Sequence, residues 1–471
     1  MQTDKLYING EWVSPDSEKK IEVENPLTQE IIDTVPRAND KDVNKAIKAA
    51  NEALENWQFT SSKERADLIQ KVLDKMKEDK DTACKIITDE LGSPPSLVEE
   101  IQVSGVLDSI QYYIDTAKEY EYEQERGTAR VLKEPVGVVA CATPWNYPLS
   151  QVTKKVIPAM LAGNTIVLKP SQHTPLTAYW LTEKIHEAGI PKGVFNLVTG
   201  RGSEVGDVMA ESPDVQMFSF TGSTNGGRKA AEKALSNIKK IVLELGGKSP
   251  AVFLEGADIK NGIKLVLDDI TSNAGQTCST FSRLIVHQDK LDEIKNELKE
   301  QIDNYKTGSF DDPDVNVGPL LSKDQFDRVK GYIEEGVKEG AELFIGEIPE
   351  YTGDYIINPT VFTNVNNKMT IAQEEIFGPV LSVITYSDLD EAVEIANDTI
   401  YGLSGMVQGE EGEAIDVARR IKTGDIYIND GIGNSAAPFG GYKQSGLGRE
   451  NGVEGFEAYM EEKSLMVGTE A

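Results

Sequence analysis

Cysteine is scarce: Cys84, Cys141 and Cys278 are the whole supply in 471 residues. An odd number of thiols, far apart in the chain, excludes a disulfide framework and fits a reducing, cytoplasmic setting. Histidine is as rare, with His173, His186 and His287 showing no metal-ligand spacing. A zinc site is therefore not expected, and no metal is assigned. No apolar run reaches the roughly 18 residues of a membrane-spanning helix. The opening MQTDKLYINGEWV has no basic stretch followed by an apolar core, so no secretory signal is expected. Positive charge is also in short supply: 48 Lys and Arg face 78 Asp and Glu, a net charge of −30. Such a chain repels phosphate backbones and anionic lipid, which excludes general nucleic-acid or membrane-surface partners. A local anion site built from backbone N–H groups remains compatible with it.

What is present is enough apolar material, 39% of residues, to build cores. The length predicts two to four domains. LYINGEWV has Asn9-Gly10 at its centre and reads as a hairpin. From Asp42 to Trp57, Val43, Ala46, Ile47, Ala50, Ala53, Leu54 and Trp57 recur at helical spacing, and helical patterns continue to about residue 118. Residues 119–135 alternate around Gly127 and predict a polar-faced hairpin, either a solvated arm or a pairing edge for another subunit. From residue 136 strands and helices alternate. Val136–Ala142, Thr165–Leu168, Val194–Val198, Met217–Phe220 and Ile241–Leu243 are the strand candidates, which predicts a doubly wound parallel sheet with ligands beyond its carboxyl ends. A second α/β block carries strand candidates Ala251–Leu254, Leu284–Val286, Val361–Phe362, Leu381–Ile384 and Ile426–Ile428. A short strand is expected at Ser464–Gly468.

Chemistry concentrates at the strand ends. Cys278 closes Asn273-Ala274-Gly275-Gln276-Thr277-Cys278, polar and small residues that suit a loop or helix start, where backbone N–H groups favour thiolate. Taken alone, a lone cysteine is more often a small core residue. Glu244 follows the apolar strand Ile241–Leu243, where burial would raise its pKa toward that of a general base; a solvent-facing strand-end Glu is the alternative. Phe220-Thr221-Gly222-Ser223-Thr224-Asn225-Gly226-Gly227 links a strand to a helix, a turn that admits a phosphate. It lacks the Lys of a P-loop, which disfavours a kinase or ATPase. Gly200 to Gly206 is one residue too long for a G-x-G-x-x-G fingerprint and by itself reads as a plain turn. Asn146, fixed between Pro144 and Pro148, offers an amide donor to a developing oxyanion. Together, a thiol, a carboxylate, an amide and a phosphate turn suggest attack on a carbonyl with electron transfer to a nucleotide.

The motifs TPWNYPL (143–149), KPSQHTP (169–175), FTGSTNGG (220–227), LELGGKSP (243–250), NAGQTC (273–278), EEIFGPV (374–380) and PFGGYKQSGLGRE (438–450) occur in order. In these the chain resembles the aldehyde dehydrogenase superfamily, nearly end to end. The resemblance implies an α/β fold with a Rossmann-type nucleotide domain (1–118 and 136–247), a catalytic domain (248–445) and a small β oligomerisation element (119–135 and 446–471). It implies NAD(P)-dependent oxidation of a small-molecule aldehyde to a carboxylic acid in a homodimer or homotetramer. Cys278 would form a thiohemiacetal and then a thioester, Asn146 would stabilise the oxyanion, and Glu244 would activate the hydrolytic water. Lys155 and Glu450 match a proton relay or a structural ion pair. Trp145, Lys169, Gly202, Gly206, Gly222, Ser223, Glu375 and Phe377 match cofactor-binding positions.

At Gln172 many NAD-preferring relatives carry Glu, which repels a 2′-phosphate. NAD use with tolerance of NADP is the expectation. TPWNYP and CSTFSR resemble betaine-aldehyde enzymes, with Tyr147 as one wall of an aromatic box. Lys154, however, opposes a cationic substrate, so a general aldehyde enzyme for medium aliphatic or aromatic substrates is expected. The alternatives are a CoA-acylating relative, disfavoured by Glu244, and a non-catalytic protein on the same fold, disfavoured by the presence of Cys278, Glu244 and Asn146 together.

Overall fold

The apolar runs after residue 136 stack as parallel strands because each buries both of its faces. The computed structural model describes residues 1–468. Its first sheet has eight strands, in the order Gly446–Leu447, Lys240–Glu244, Met217–Thr221, Val138–Ala142, Thr165–Lys169, Phe195–Leu197, Leu6–Ile8 and Glu11–Val13. The five central strands are parallel and both edges are antiparallel. Alternation within a strand sends Val139, Cys141, Ile166 and Leu168 into one core and Val138, Ala140, Ala142 and Val167 into the other. The strand order reverses at Val138–Ala142, which lies between Thr165–Lys169 and Met217–Thr221. In an open α/β sheet that reversal opens a crevice between the loops leaving the two diverging strands. Here those loops carry Thr143–Tyr147 and Gly222–Ser223.

The second sheet has seven strands: Glu342–Ile345, Thr360–Thr363, Val380–Tyr386, Arg283–His287, Pro250–Phe253, Met406–Gln408 and Tyr427–Ile428. Only the pairing of the outermost, Glu342–Ile345, is antiparallel. Ala251, Phe253, Leu284 and Val286 pack on one side, and Val252, Leu254 and Ile285 on the other. Local signals start the helices. Asn39 caps Asp40–Trp57 in a capping box with Asp42, an arrangement worth about 1 kcal/mol.

The hairpin Glu123–Arg126 and Ala129–Pro135 forms a three-stranded sheet with the tail strand. That strand is Met460–Met466, earlier than the expected Ser464–Gly468. Its extent follows from pairing with Ala129–Pro135, since MEEKSLM has no alternation of its own. The preceding segment differs from the expected 446–471 tail. Gly446–Leu447 pairs with Leu243 and Glu244 at the edge of the first sheet, and Gly452–Glu457 packs on the helices Gly105–Glu119 and Pro148–Leu161. Residues 469–471 of that expected tail lie outside the described residues. Among the described residues no helix is long and apolar enough to cross a membrane.

Candidate active site

Two cavities meet at Cys278. The larger, about 680 Å³, is walled by Tyr147, Lys154, Tyr427 and Phe439 among others. The smaller, about 140 Å³, lies in the crevice of the first sheet and is lined by Trp145, Asn146, Gly222, Ser223, Glu375 and Phe377. Cys278 and Gln151 line both. Cys141 is fully buried in the core, and Cys84 and Cys278 are half-buried; all three thiols are free.

Cys278 lies in a loop, one of the two placements its sequence context suits, and not at a helix start. It follows a tight turn in which Asn273, Ala274 and Gly275 are all left-handed (φ 49°, 55° and 71°). No helix N-terminus therefore favours the thiolate. Burial, with Glu375 and Glu244 adding negative charge, pushes the thiol pKa up to about 12. Both effects favour the protonated thiol.

Asn146 is buried, and its Nδ2 donates to the Gln276 carbonyl at 3.0 Å. Asn273 Nδ2 donates to the Asn146 carbonyl at 2.8 Å. Tyr147 Oη and Thr277 Oγ1 are 2.7 Å apart. The glycines of LELGGK give room here: a Cβ on Gly246 would lie 2.6 Å from Glu375 Oε2, and one on Gly247 would overlap the Cys278 carbonyl. Glu375 Oε1 accepts from Gly247 N–H at 3.1 Å, and burial raises the Glu375 pKa. Phe377, left-handed at φ 64°, meets Trp145 edge to face at 5.3 Å.

Glu244 ends its strand 2% exposed, with no hydrogen-bond partner for either carboxylate oxygen among the described residues. Burial first, and then Glu450, holds its pKa well above the ordinary carboxylate range, while Lys155 acts in the opposite direction. It lines neither cavity; a Cβ on Gly440, next to Phe439, would be 2.5 Å from its Oε1. Lys155 and Glu450 form a buried ion pair at 2.6 Å, with Lys155 Nζ also donating to Ser219 Oγ at 3.1 Å.

Lys169 ends its strand buried. Its ammonium makes a single hydrogen bond, to the Pro170 carbonyl at 2.9 Å, and burial lowers its pKa to about 8. Gly206 adjoins it, since a Cβ there would lie 3.8 Å from Lys169 Cδ. Gly202 opens the same π-helical turn, Gly202–Gly206, and nothing crowds it. Gln172 is half-buried and reaches only His173, at 3.5 Å. Ser223 caps helix Thr224–Leu235 by accepting from Gly226 N–H. The structure thus gathers Cys278, Asn146, Trp145, Gly222, Ser223, Glu375 and Phe377, joins Lys169 to Gly206, and sets Glu244, Lys155 and Glu450 in a buried charge cluster. Residue patterns gave no warning of the Asn273 and Gln276 side-chain network, although both residues lie inside NAGQTC.

A family-wide sequence model described as "Aldehyde dehydrogenase family" matches residues 12–465. The chain belongs to the aldehyde dehydrogenase family. A Staphylococcus aureus (strain USA300) chain assigned to the aldehyde dehydrogenases is 47% identical over 465 residues, 98% of each chain. An alanine-for-cysteine variant of aldehyde dehydrogenase C from Pseudomonas syringae, solved with NAD+ and octanal, superposes with a TM-score of 0.97. It is 40% identical, and the match covers 100% of this chain and 98% of that one. A betaine aldehyde dehydrogenase of Staphylococcus aureus, a point mutant in complex with NAD+, is 35% identical, with a TM-score of 0.95 and coverage of 98% and 97%.

Proposed function

We propose that this chain oxidises an aldehyde to a carboxylic acid with NAD, Cys278 being the nucleophile. The observation that carries the reading is that Cys278 stands on the wall common to the two cavities. An aldehyde in the larger one and a dinucleotide in the smaller one would meet at its sulfur. A relative solved with both NAD+ and octanal supports the reading that one site takes a dinucleotide and an aldehyde together.

The residues present fit a dinucleotide. The Lys169 ammonium is buried with two hydrogens unclaimed, which suits ribose hydroxyls. Gly222 and Ser223 supply the turn for the phosphates at a helix start. Trp145, Glu375 and Phe377 border the ring end, and Gly202 and Gly206 the adenine side. Bound there, the nicotinamide supplies the hydride acceptor.

The chain's own residues do the rest. Cys278 Sγ gives its proton to water and bonds to the carbonyl carbon as the C=O π pair moves to oxygen, an oxyanion held by the Asn146 amide and the Cys278 N–H. Loss of hydride from that carbon leaves a thioester. Glu244 turns from its buried position toward the sulfur and takes a proton from water, which adds to the thioester. The tetrahedral adduct collapses, the acid departs, and the leaving thiolate takes the proton held by Glu244. Lys155 and Glu450 set the charge around Glu244.

We assign residues 1–118 and 136–247 to nucleotide binding and 248–445 to catalysis. The hairpin at 119–135 with Met460–Met466 serves oligomerisation, in a cytoplasmic homodimer or homotetramer. Gln172 removes the repulsion that Glu would exert on a 2′-phosphate, so NADP is tolerated; Gln172→Glu lowers the NADP/NAD ratio of kcat/KM, and an unchanged ratio rejects this role.

The deciding experiment follows reduced-cofactor absorbance with a panel of aldehydes, without and with CoA. Turnover without CoA, acid as product and loss of turnover in Cys278→Ala are expected. Activity only with CoA would point to acyl transfer, and silence in both conditions to a non-catalytic role.

A further inference from the structure

Five buried side chains form a chain of hydrogen bonds that ends at the Asn146 amide. Gln102 Nε2 donates to Ser93 Oγ at 3.0 Å, and Ser93 Oγ donates to Asn273 Oδ1 at 2.5 Å. Asn273 Nδ2 then donates to the Asn146 carbonyl at 2.8 Å and to the Gln276 carbonyl at 3.4 Å. Gln276 is itself pinned, its Nε2 on the Asn273 carbonyl and its Oε1 under Leu321 N–H, both at 2.9 Å. Its carbonyl takes one of the two Asn146 Nδ2 hydrogens. All five side chains are at most 3% exposed.

The direction of each bond matters. An amide presents oxygen on one side and nitrogen on the other. Ser93 has one proton to give, and giving it to Asn273 Oδ1 leaves Asn273 Nδ2 facing the Asn146 and Gln276 carbonyls. Gln276 O, so placed, selects nitrogen rather than oxygen at the Asn146 amide end nearest it. That leaves the second Asn146 N–H for the cavity. Gln102 lies in the π-helical stretch Val98–Ser104, whose Glu100 and Ile101 wall the larger cavity. Irregular turns of this kind recur at functional sites.

We propose that Ser93 and Gln102 are positioning residues for acylation, acting through Asn273 and Gln276 to aim the Asn146 amide at the oxyanion. The inference rests on the reading of Asn146 as an oxyanion donor. Loss of an oxyanion donor costs 10²–10³ in rate, and misorientation costs a part of that, about tenfold.

The test compares two reactions of Cys278. Hydrolysis of a p-nitrophenyl ester builds an oxyanion, whereas alkylation by iodoacetamide does not. In Ser93→Ala, aldehyde oxidation and ester hydrolysis should both fall about tenfold in kcat, with alkylation of Cys278 and the KM for NAD within twofold of the parent. Gln102→Leu, which leaves Ser93 in place, should shift both activities in the same direction by less, and it serves if Ser93→Ala does not fold. Any other pattern overturns the proposal, including a parallel fall in alkylation, which would place the effect on the whole thiol loop. Asn146→Ala separates the two layers. If it leaves ester hydrolysis intact, the oxyanion reading itself fails; if it lowers hydrolysis while Ser93→Ala and Gln102→Leu do not, only the positioning role fails.

Discussion

Glu244 is buried with both carboxylate oxygens unpartnered, a placement that disfavours its charged form. A base must be deprotonated to act, so a raised pKa moves the rise of activity with pH above the ordinary carboxylate range. Glu244→Gln should remove that limb, cut steady-state turnover by about a hundredfold, and spare the first turnover; rapid-mixing absorbance checks it, and loss of the burst would assign Glu244 to an earlier step. Lys154 stands in the larger cavity with its Nζ 5.0 Å from the Phe439 ring centre. Asp425 shares that wall, but burial raises its pKa and weakens its counter-charge. A cation there repels a quaternary ammonium. Lys154→Met should raise kcat/KM for betaine aldehyde about tenfold, equivalent to about 1.4 kcal/mol, relative to a neutral aldehyde of similar size. An unchanged ratio removes Lys154 from substrate choice. Cys278, Glu244 and Asn146 were legible as candidates because each type carries chemistry at a strand end. Their surroundings were not: that the thiol lies between two cavities, and that Glu244 sits off both, depends on packing from distant segments.

Elements show where sequence patterns carry information. The parallel strands were legible because continuous apolar runs mark strands buried on two faces. Met406–Gln408, Glu342–Ile345 and Gly446–Leu447 were not, because two to four residues hold no period. The left-handed turn at Asn273 and Ala274 was equally hidden, since only Gly275 announces positive φ. Helix Leu176–Glu187 illustrates an N-terminus satisfied from afar. Its Leu176 and Thr177 N–H groups donate to Glu90, at 2.7 and 3.0 Å. Burial raises the Glu90 pKa to about 7 from an ordinary 4.5. A folded-state pKa above the unfolded one means that the folded protein holds the proton more tightly. Its stabilising contribution is full below about pH 4.5 and is lost as pH rises through about 7, by an upper bound of about 3 kcal/mol. Glu90→Gln should flatten that decline, read as a smaller Tm difference between pH 5 and pH 8; an equal difference would place the pH dependence elsewhere.

At the scale of the molecule, motifs from TPWNYPL at 143 to EEIFGPV at 380 place residues on one crevice that opens where the strand order reverses, while Lys169 and Glu450 lie outside it. Their order along the chain was readable, but the three-dimensional meeting of the two sheets was not. Among the described residues Met460–Met466 is an edge strand with one side unpaired and Leu465 and Met466 exposed, a surface that natural proteins normally cover. The double variant Leu465→Asp, Met466→Asp should shift the mass measured by light scattering toward the monomer, and an unaltered mass would move the interface elsewhere. The C-terminal segment has a second consequence. Lys155 and Glu450 are 295 residues apart, and Gly446 closes the sheet edge beside Glu244. During synthesis the segment bearing Lys155 emerges before Glu450 is available to pair with it. Both contacts form only when the tail docks. A chain that ends before residue 446 therefore lacks both the counter-ion of Lys155 and the strand that closes the sheet edge beside Glu244.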